Sequence, residues 1–318
     1  MRVAVIGSGG VGGFVGGMLA RAGHDVAFLA RGEHLRALRE RGLRVRSTGG
    51  DFDVPSVRAT DRVEDLGPAD LFLFTVKSYD TVAVAESLRP LMTPAATVLT
   101  LQNGIDNHES IDRALGSGTA LPGTIRIETT IAEPGVIAHM SKGYLIRFGE
   151  IGGGERGAGG ARSERVERLH TAFEDAGLNT RVPDDMRAEL WDKFLFIVPF
   201  AGLTTLARAP IGEILAVPEL ARVLEALYAE AATVARAIGV NLGDDPAGRT
   251  MANVRKLHPG FESSMQRDLE RGKPLEVDAL VGALARLGRE HGIPTPVTDT
   301  VYGVLTLEDL RARGTAPA

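Results

Sequence analysis

The sequence predicts an α/β region followed by an all-α region, and three observations carry that expectation. Short β-rich runs alternate with helical stretches through the first half, the pattern of a mostly parallel sheet with helices on both faces. A glycine-rich segment, Gly7-Ser8-Gly9-Gly10-Val11-Gly12, lies between the first such run and the first helix. After Pro183 the texture changes to long amphipathic or apolar helices separated by Pro and Gly, with no convincing strand. A chain of 318 residues has room for two domains, and the boundary is placed at Pro183: an α/β domain over 1–183 and a helical domain over 184–318.

The elements follow in order. Val3–Ile6 is a continuous β-rich run, as expected of a strand buried on both faces. Phe14–Ala22 reads as a helix ended by Gly23, Val26–Ala30 as a second strand, and Glu33–Arg41 as a helix stopped by Gly42. Leu43–Ser47 and Phe52–Arg58 straddle Thr48-Gly49-Gly50-Asp51 and read as a hairpin or two edge strands. Asp70–Val76 and Thr97–Leu101 are buried strands around a helix at Tyr79–Leu88, and residues 106–115 are helical. Residues 119–132 and 136–148 read as an antiparallel pair turned at Glu133-Pro134-Gly135. A helix at Arg162–Ala176 and a last strand at Asn179–Val182 complete the region. Beyond Pro183, residues 184–200, 218–239 and 276–291 are helices, and Pro199 should end or kink the first of them and free a carbonyl.

Composition removes several classes of function. There is no cysteine, which excludes disulfides, thiol nucleophiles, iron–sulfur clusters and Cys-ligated zinc, and permits a reducing cytoplasm. Lys+Arg 36 against Asp+Glu 41, with 5% aromatics, argues against a nucleic-acid partner. The seven histidines show no H-x-H or H-E-x-x-H spacing, so no metal site is expected. Val3–Ala20 is uncharged and superficially resembles a signal peptide or membrane span. It is laden with glycine, which costs a helix about 1 kcal/mol per site relative to alanine. Neither export nor a membrane is expected, and the cytoplasm is the expected location. The apolar helices of the second half fit either a core or a homodimer interface.

The Gly7–Gly12 segment is a G-x-G-x-x-G. Gly7 would make the tight turn out of the strand, Gly9 would let the backbone approach a pyrophosphate, and Gly12 would let the helix pack on the strand. Ser8, Gly10 and Val11 complete the turn, and the helix start offers free N–H groups and partial positive charge to phosphates. A buried strand before it and a helix after it are the context that confirms a dinucleotide site and a Rossmann-type sheet. Gly152-Gly153-Gly154-Glu155-Arg156-Gly157 has the same spacing but carries an acidic residue in a low-complexity stretch, and reads as a surface loop.

The second strand ends at Leu29-Ala30-Arg31. NAD-preferring sites put a carboxylate there, whereas an arginine suits a 2′-phosphate, so Arg31 favours NADP (NADPH); nearby Glu33 leaves NAD open. Lys77 and Asn103 also follow buried strands, where open α/β sheets bind ligands, though a solvated lysine and an Asn-Gly turn explain them equally well. In the second half, Lys193 lies among Trp191 and a five-residue apolar run. It is either one partner of an i, i+4 surface pair with Glu189 or an ammonium in a cleft that polarises a carbonyl and donates a proton. Ser264 could be a helix cap and Glu276 a first-turn carboxylate.

These residues carry a resemblance to the ketopantoate reductase (2-dehydropantoate 2-reductase) family over the whole chain. The glycine fingerprint, Arg31, Lys77, Asn103-Gly104, Leu190-Trp191-x-Lys193, Ser263-Ser264-Met265-x-x-Asp268, Leu275-Glu276-Val277-Asp278 and His291-Gly292-Ile293-Pro294 match it in order and spacing. The resemblance implies an oxidoreductase of pantothenate biosynthesis that transfers a hydride from NADPH to the keto carbon of a 2-oxo acid. It implies Lys193 as proton donor and Arg31 and Lys77 at the 2′-phosphate. It further implies Asn103 at the nicotinamide end and substrate, Ser264 at the substrate, and Glu276 beside the cofactor ribose and Lys193. The chain departs from the family where the substrate would lie. Family members place asparagines four and eight residues after the lysine and another just before Gly-Glu; here these are Ile197, Ala201 and Ile211. A site that loses hydrogen-bond partners loses selection for a substrate hydroxyl, so the expected substrate is either 2-dehydropantoate bound in an altered way or a related 2-oxo acid with a more apolar tail. The alternatives are another NADP-dependent hydroxy-acid dehydrogenase on the same fold and a non-catalytic NADP(H)-sensing protein.

Overall fold

A computed structural model describes residues 1–152 and 162–316. The chain separates into two compact units, Met1–Gln102 with Asp106–Glu189, and Asn103–Ile105 with Leu190–Ala318. The division falls six residues past Pro183. The second G-x-G-x-x-G run, beyond Gly152, lies outside the described residues.

The first unit holds strands β1 (Arg2–Ile6), β2 (Asp25–Leu29), β3 (Leu43–Ser47), β4 (Phe52–Val54), β5 (Arg58–Thr60) and β6 (Leu71–Phe74). It continues with β7 (Thr97–Thr100), β8 (Ala120–Arg126), β9 (Thr129–Glu133), β10 (Val136–His139), β11 (Leu145–Phe148) and β12 (Thr180–Arg181). Its helices are α1 (Gly10–Arg21), α2 (Gly32–Arg41), α3 (Thr81–Leu88), α4 (Asn107–Leu115) and α5 (Glu164–Asp175). The larger sheet runs β12-β11-β8-β7-β6-β1-β2-β5, with every neighbouring pair parallel except β8 and β11. Val3–Ile6 and Leu71–Phe74 are almost wholly buried, as strands covered on both faces require. A smaller sheet, β4-β3-β10-β9, packs on the other side of α1.

Three sequence expectations are corrected here. Helix α1 starts at Gly10 rather than Phe14. Its interior glycines are packing positions between the two sheets. A methyl group on Gly16 would stand 2.6 Å from a Val5 methyl, and one on Gly13 or Gly17 would stand 2.7 or 2.9 Å from Ile137 or Leu43. Close contact with both sheets outweighs a propensity loss of about 1 kcal/mol per glycine. Secondly, the long pair over 119–132 and 136–148 is antiparallel but divided, with β8 and β11 in the larger sheet and β9 and β10 in the smaller. Each strand breaks where it crosses, and Met140 N–H to the Glu128 carbonyl at 2.9 Å holds the crossing. Thirdly, Phe52–Arg58 is two strands: β4 closes a hairpin with β3, and β5 joins β2 in the larger sheet.

The helical unit comprises most of α6 (Met186–Ala207), with α7 (Ile211–Ala216), α8 (Pro218–Ala237), α9 (Pro246–Val254), α10 (Ser264–Glu270), α11 (Ala283–Glu290) and α12 (Pro296–Ala312). No strand occurs among its described residues. Pro199 does not end α6, which runs on to Ala207. A proline inside a helix costs about 3 kcal/mol. Phe194, Leu195, Val198, Phe200, Ala201 and Leu203, each at most 2% exposed, offset that cost. By length and composition α6 could cross a membrane, but 67% of its apolar window is buried inside the protein, as in a core helix. Ser263, not Ser264, caps α10, its hydroxyl accepting the Gln266 N–H at 3.0 Å; Ser264 is the first helical residue. Glu276 precedes its helix rather than lying in the first turn, because the chain winds through a π-helical turn at Asp278–Gly282 before α11.

Candidate active site

In the α/β unit the backbone builds the site. Gly7 has φ +103°, and a methyl group there would come within 2.8 Å of the Val76 nitrogen. Gly12 is tighter, since its methyl would stand 2.1 Å from the Gly7 carbonyl oxygen. At Gly9 a methyl would meet nothing within 4 Å, so the middle of the turn faces open space. The first intrahelical bond, Gly13 N–H to the Gly9 carbonyl at 2.7 Å, leaves the N–H groups of Gly10, Val11 and Gly12 at the start of α1. The turn offers donors, a helix N-terminus and room, which is what an anion needs. It is braced from below. The Thr75 hydroxyl donates to the Gly7 carbonyl at 2.7 Å, and the Ser8 N–H and hydroxyl both donate to the Leu29 carbonyl, at 3.1 and 2.8 Å.

Those Ser8 bonds tie the glycine turn to the end of β2, where Arg31 follows. Arg31 is exposed, with extended backbone, at the N-terminal boundary of α2. Glu33 is ion-paired with Arg36 one turn along. His34 links α2 to the β9–β10 turn, its Nδ1 accepting the Gly135 N–H at 3.1 Å. Burial lowers the His34 pKa, offset in part by the Ser8 backbone. Lys77 begins the short turn after β6. Gln102 fastens that turn to β7: its Nε2 donates to the Val76 carbonyl at 3.0 Å and to the Thr81 hydroxyl at 2.8 Å. Asn103, the next residue, belongs to the helical unit.

Side chains build the candidate site of the helical unit. Lys193 is half-buried on α6, after Trp191, which meets Phe194 edge-on at 5.2 Å. The Glu189 carboxylate is bonded to Arg147 at 2.8 Å, with Arg126 at 3.9 Å, so the surface pair considered for Lys193 has Glu189 engaged by arginines. Ile197 and Ala201 continue the Lys193 face at four-residue steps. Ile197 is half-buried and Ala201 is 1% exposed. Phe196 stacks on Phe200 at 5.4 Å, and Phe200 meets Phe261 at 5.4 Å. Ile211 is buried, its N–H donating to the Phe261 carbonyl at 3.1 Å. Ser264 is half-buried, and Glu276 is only 7% exposed. Asn103, Lys193, Ser264 and Glu276 therefore share one unit, and the glycine turn, Arg31 and Lys77 share the other. Among the described residues no group of three or more His, Asp or Glu side chains could hold a metal.

Sequence reasoning missed Thr129, whose Oγ1 lies 2.7 Å from where a Gly10 methyl would be, at the mouth of α1. It also missed the bracing by Thr75 and Gln102. Only Gln102 carried a signal, its adjacency to Asn103 after a buried strand.

A mostly parallel sheet opening on a glycine turn, followed by a helical unit, defines the class of two-domain proteins with a Rossmann-type first half. Residues 3–153 match the family described as Ketopantoate reductase PanE/ApbA, and residues 185–308 match that family's C-terminal region. A 2-dehydropantoate 2-reductase of Halobacterium salinarum is 36% identical over 313 residues, covering 96% of this chain and 98% of the relative. A ketopantoate reductase structure from Ralstonia eutropha shares 32% identity with a TM-score of 0.87, covering 98% of this chain and 100% of the other. The chain belongs to the ketopantoate reductase family. The fold extends further: a D-mandelate dehydrogenase, solved with NADH and anilino(oxo)acetate, superimposes with a TM-score of 0.87 at 20% identity, over 98% and 100% of the two chains.

Proposed function

We propose that this chain reduces a 2-oxo acid with NADPH, and that the acid has a more apolar tail than ketopantoate. The carrying observation is the glycine turn, open at Gly9 and closed at Gly7 and Gly12, which fits the pyrophosphate of a dinucleotide. The bound nicotinamide supplies the hydride. Gly7, Ser8, Gly9, Gly10, Val11 and Gly12 would hold the pyrophosphate, and Arg31 with Lys77 the 2′-phosphate. Arg31 just past the end of β2 supports NADP over NAD, and Glu33, the nearby carboxylate, lies in the first turn of α2 beside Arg36. The Lys193 ammonium would polarise the keto oxygen and donate its proton as the alkoxide forms. Asn103 and Ser264 would orient the acid, and Glu276 would meet the cofactor ribose.

The substrate preference rests on three positions. Ile197, Ala201 and Ile211 stand where relatives are expected to hydrogen-bond, and none of their side chains has a hydrogen-bonding group; Ile197 is half-buried, and Ala201 and Ile211 are buried in the apolar packing. The same fold in D-mandelate dehydrogenase is seen with an aromatic oxo-acetate. Steady-state turnover of ketopantoate beside 2-oxoisovalerate, each with NADPH and NADH, tests the proposal. A higher kcat/KM for 2-oxoisovalerate with NADPH is expected, and an Arg31→Ala variant should lose the preference for NADPH. Selective turnover of ketopantoate would overturn the apolar-tail assignment. Turnover of a 3-hydroxy acid and its 3-oxo partner with none of any 2-oxo acid would make the protein a different hydroxy-acid dehydrogenase instead.

A further inference from the structure

The segment that carries Glu276 is gripped at both ends by the last helix. On its N-terminal side, Oδ1 of Asp309 on α12 accepts the Leu275 N–H at 2.7 Å. The other oxygen, Oδ2, accepts Nε–H of Arg313 at 2.7 Å. Asp309 is only 7% exposed, and a carboxylate so placed must be compensated by charge and hydrogen bonds. Here the compensation includes one guanidinium and one backbone N–H, which belongs to the residue before Glu276. On the C-terminal side, the Tyr302 hydroxyl of α12 donates to Oδ1 of Asp278 at 2.7 Å. Tyr302 lies so close that a methyl group on Gly282 would stand 2.7 Å from its ring.

The π-helical turn begins at Asp278, the second of these contacts. The Gly282 N–H reaches back to the Val277 carbonyl at 2.9 Å, and the Leu280 N–H to the Glu276 carbonyl at 3.2 Å. Single π turns inside helices recur at functional sites, where the extra residue re-aims a side chain. Leu275 and Val277, at 2% and 1% exposure, bury the flanks and leave Glu276 between two fixed neighbours. Tyr302 and Asp309 are seven residues apart, so one stripe of α12 makes both contacts.

We propose that Asp309 and Tyr302 are positioning residues that set the Glu276 carboxylate for the cofactor. The proposal rests on the reading of Glu276 as a cofactor-side group. Neither residue touches the reaction; both act through the Leu275–Asp278 segment. The test is a double-mutant cycle on the full chain, with NADPH binding followed by the fluorescence of the dinucleotide rather than by turnover. The variants are Glu276→Gln, Tyr302→Phe, Asp309→Asn and the two doubles with Glu276→Gln, each with its thermal melt. Tyr302→Phe removes one half-exposed hydroxyl and keeps the ring, so folding is not at stake.

Each single clamp variant should weaken NADPH binding between about twofold and tenfold, the lower part of the range for coupled neighbours. In the Glu276→Gln background the same changes should add nothing, because the group they position is already gone. Losses that multiply in the doubles would show that α12 acts on general stability, and would overturn the proposal. If Glu276→Gln weakens binding but neither single clamp variant does, the clamp alone fails. Unchanged binding in Glu276→Gln would remove Glu276 from the cofactor, and the clamp with it.

Discussion

The two units build their candidate sites from different materials. In the α/β unit the site is backbone: a turn with four glycines, the free N–H groups that open α1, and braces from Thr75 and Ser8. In the helical unit it is side chain: Lys193 on α6, Ser264 at the start of α10, and Glu276 before a π turn. Backbone recognition suits a phosphate, which any turn with donors and space can hold. Side-chain recognition suits a reacting carbonyl and a variable tail, where one residue changes chemistry or selectivity. A fold built this way can keep its first unit and vary the second.

The sharpest test of that difference is Lys193→Ala. A positioned proton donor contributes about 10²- to 10⁴-fold, so kcat should fall within that range. NADPH binding, proposed to rest on the glycine turn, Arg31, Lys77 and Glu276 rather than on Lys193, should survive with little change in Kd. Rapid single-turnover measurement beside a fluorescence titration reads both quantities. Turnover that persists at the wild-type rate would remove Lys193 from the chemistry.

The contrast also explains what was legible in the sequence. The turn around Gly7 could be read because only glycine readily takes its positive φ and because a methyl at Gly12 would strike the Gly7 carbonyl. Lys193 stood out because a charge inside an apolar run needs a reason. The start of α1 was hidden, since its glycines read locally as helix breakers while their packing partners, Ile137 and Leu43, lie far along the chain. The division of β8 from β9 was hidden too, because the β-rich pattern continues across the crossing between sheets. Asp309 reaches Leu275, and Thr129 reaches Gly10, only across long sequence separations, and no local pattern marks those contacts.

A smaller effect separates two glycines of one turn. Gly12→Ala puts a methyl 2.1 Å from a carbonyl oxygen, whereas Gly9→Ala puts one in open space. Overpacking of this kind costs about 1–3 kcal/mol, and each kcal/mol lowers the melting midpoint of a unit this size by about 2–4 °C. Gly12→Ala should therefore melt several degrees early. Gly9→Ala should melt like the parent and still bind NADPH more weakly, because its methyl would enter the open space proposed for the phosphates. Calorimetry with and without NADPH distinguishes the two. Equal melting of the two variants would contradict the assignment of Gly12 to packing and Gly9 to the ligand.

The smallest effect is a pH dependence within the α/β unit. His139 is 4% exposed and bonded at both ring nitrogens, to Ser47 at 2.8 Å and Ser141 at 3.0 Å. The Ser141 hydroxyl donates to the Gly143 carbonyl at 2.8 Å, so it accepts from Nε2–H, and Ser47 donates to Nδ1. That arrangement holds a neutral imidazole. Burial lowers the pKa of His139, and likewise those of His34 and His108. A lowered folded pKa means that the unfolded chain binds more protons at mildly acidic pH, so stability rises with pH there. The contribution is present above the ordinary value of 6.5 and is lost as pH falls below it. Melting of the α/β unit should therefore move down between pH 7.5 and 5.5. A His139→Gln variant, which cannot titrate, should show a shallower slope. An identical slope in the two proteins would place the pH dependence on the other buried histidines and leave His139 a purely structural link between β3 and β10.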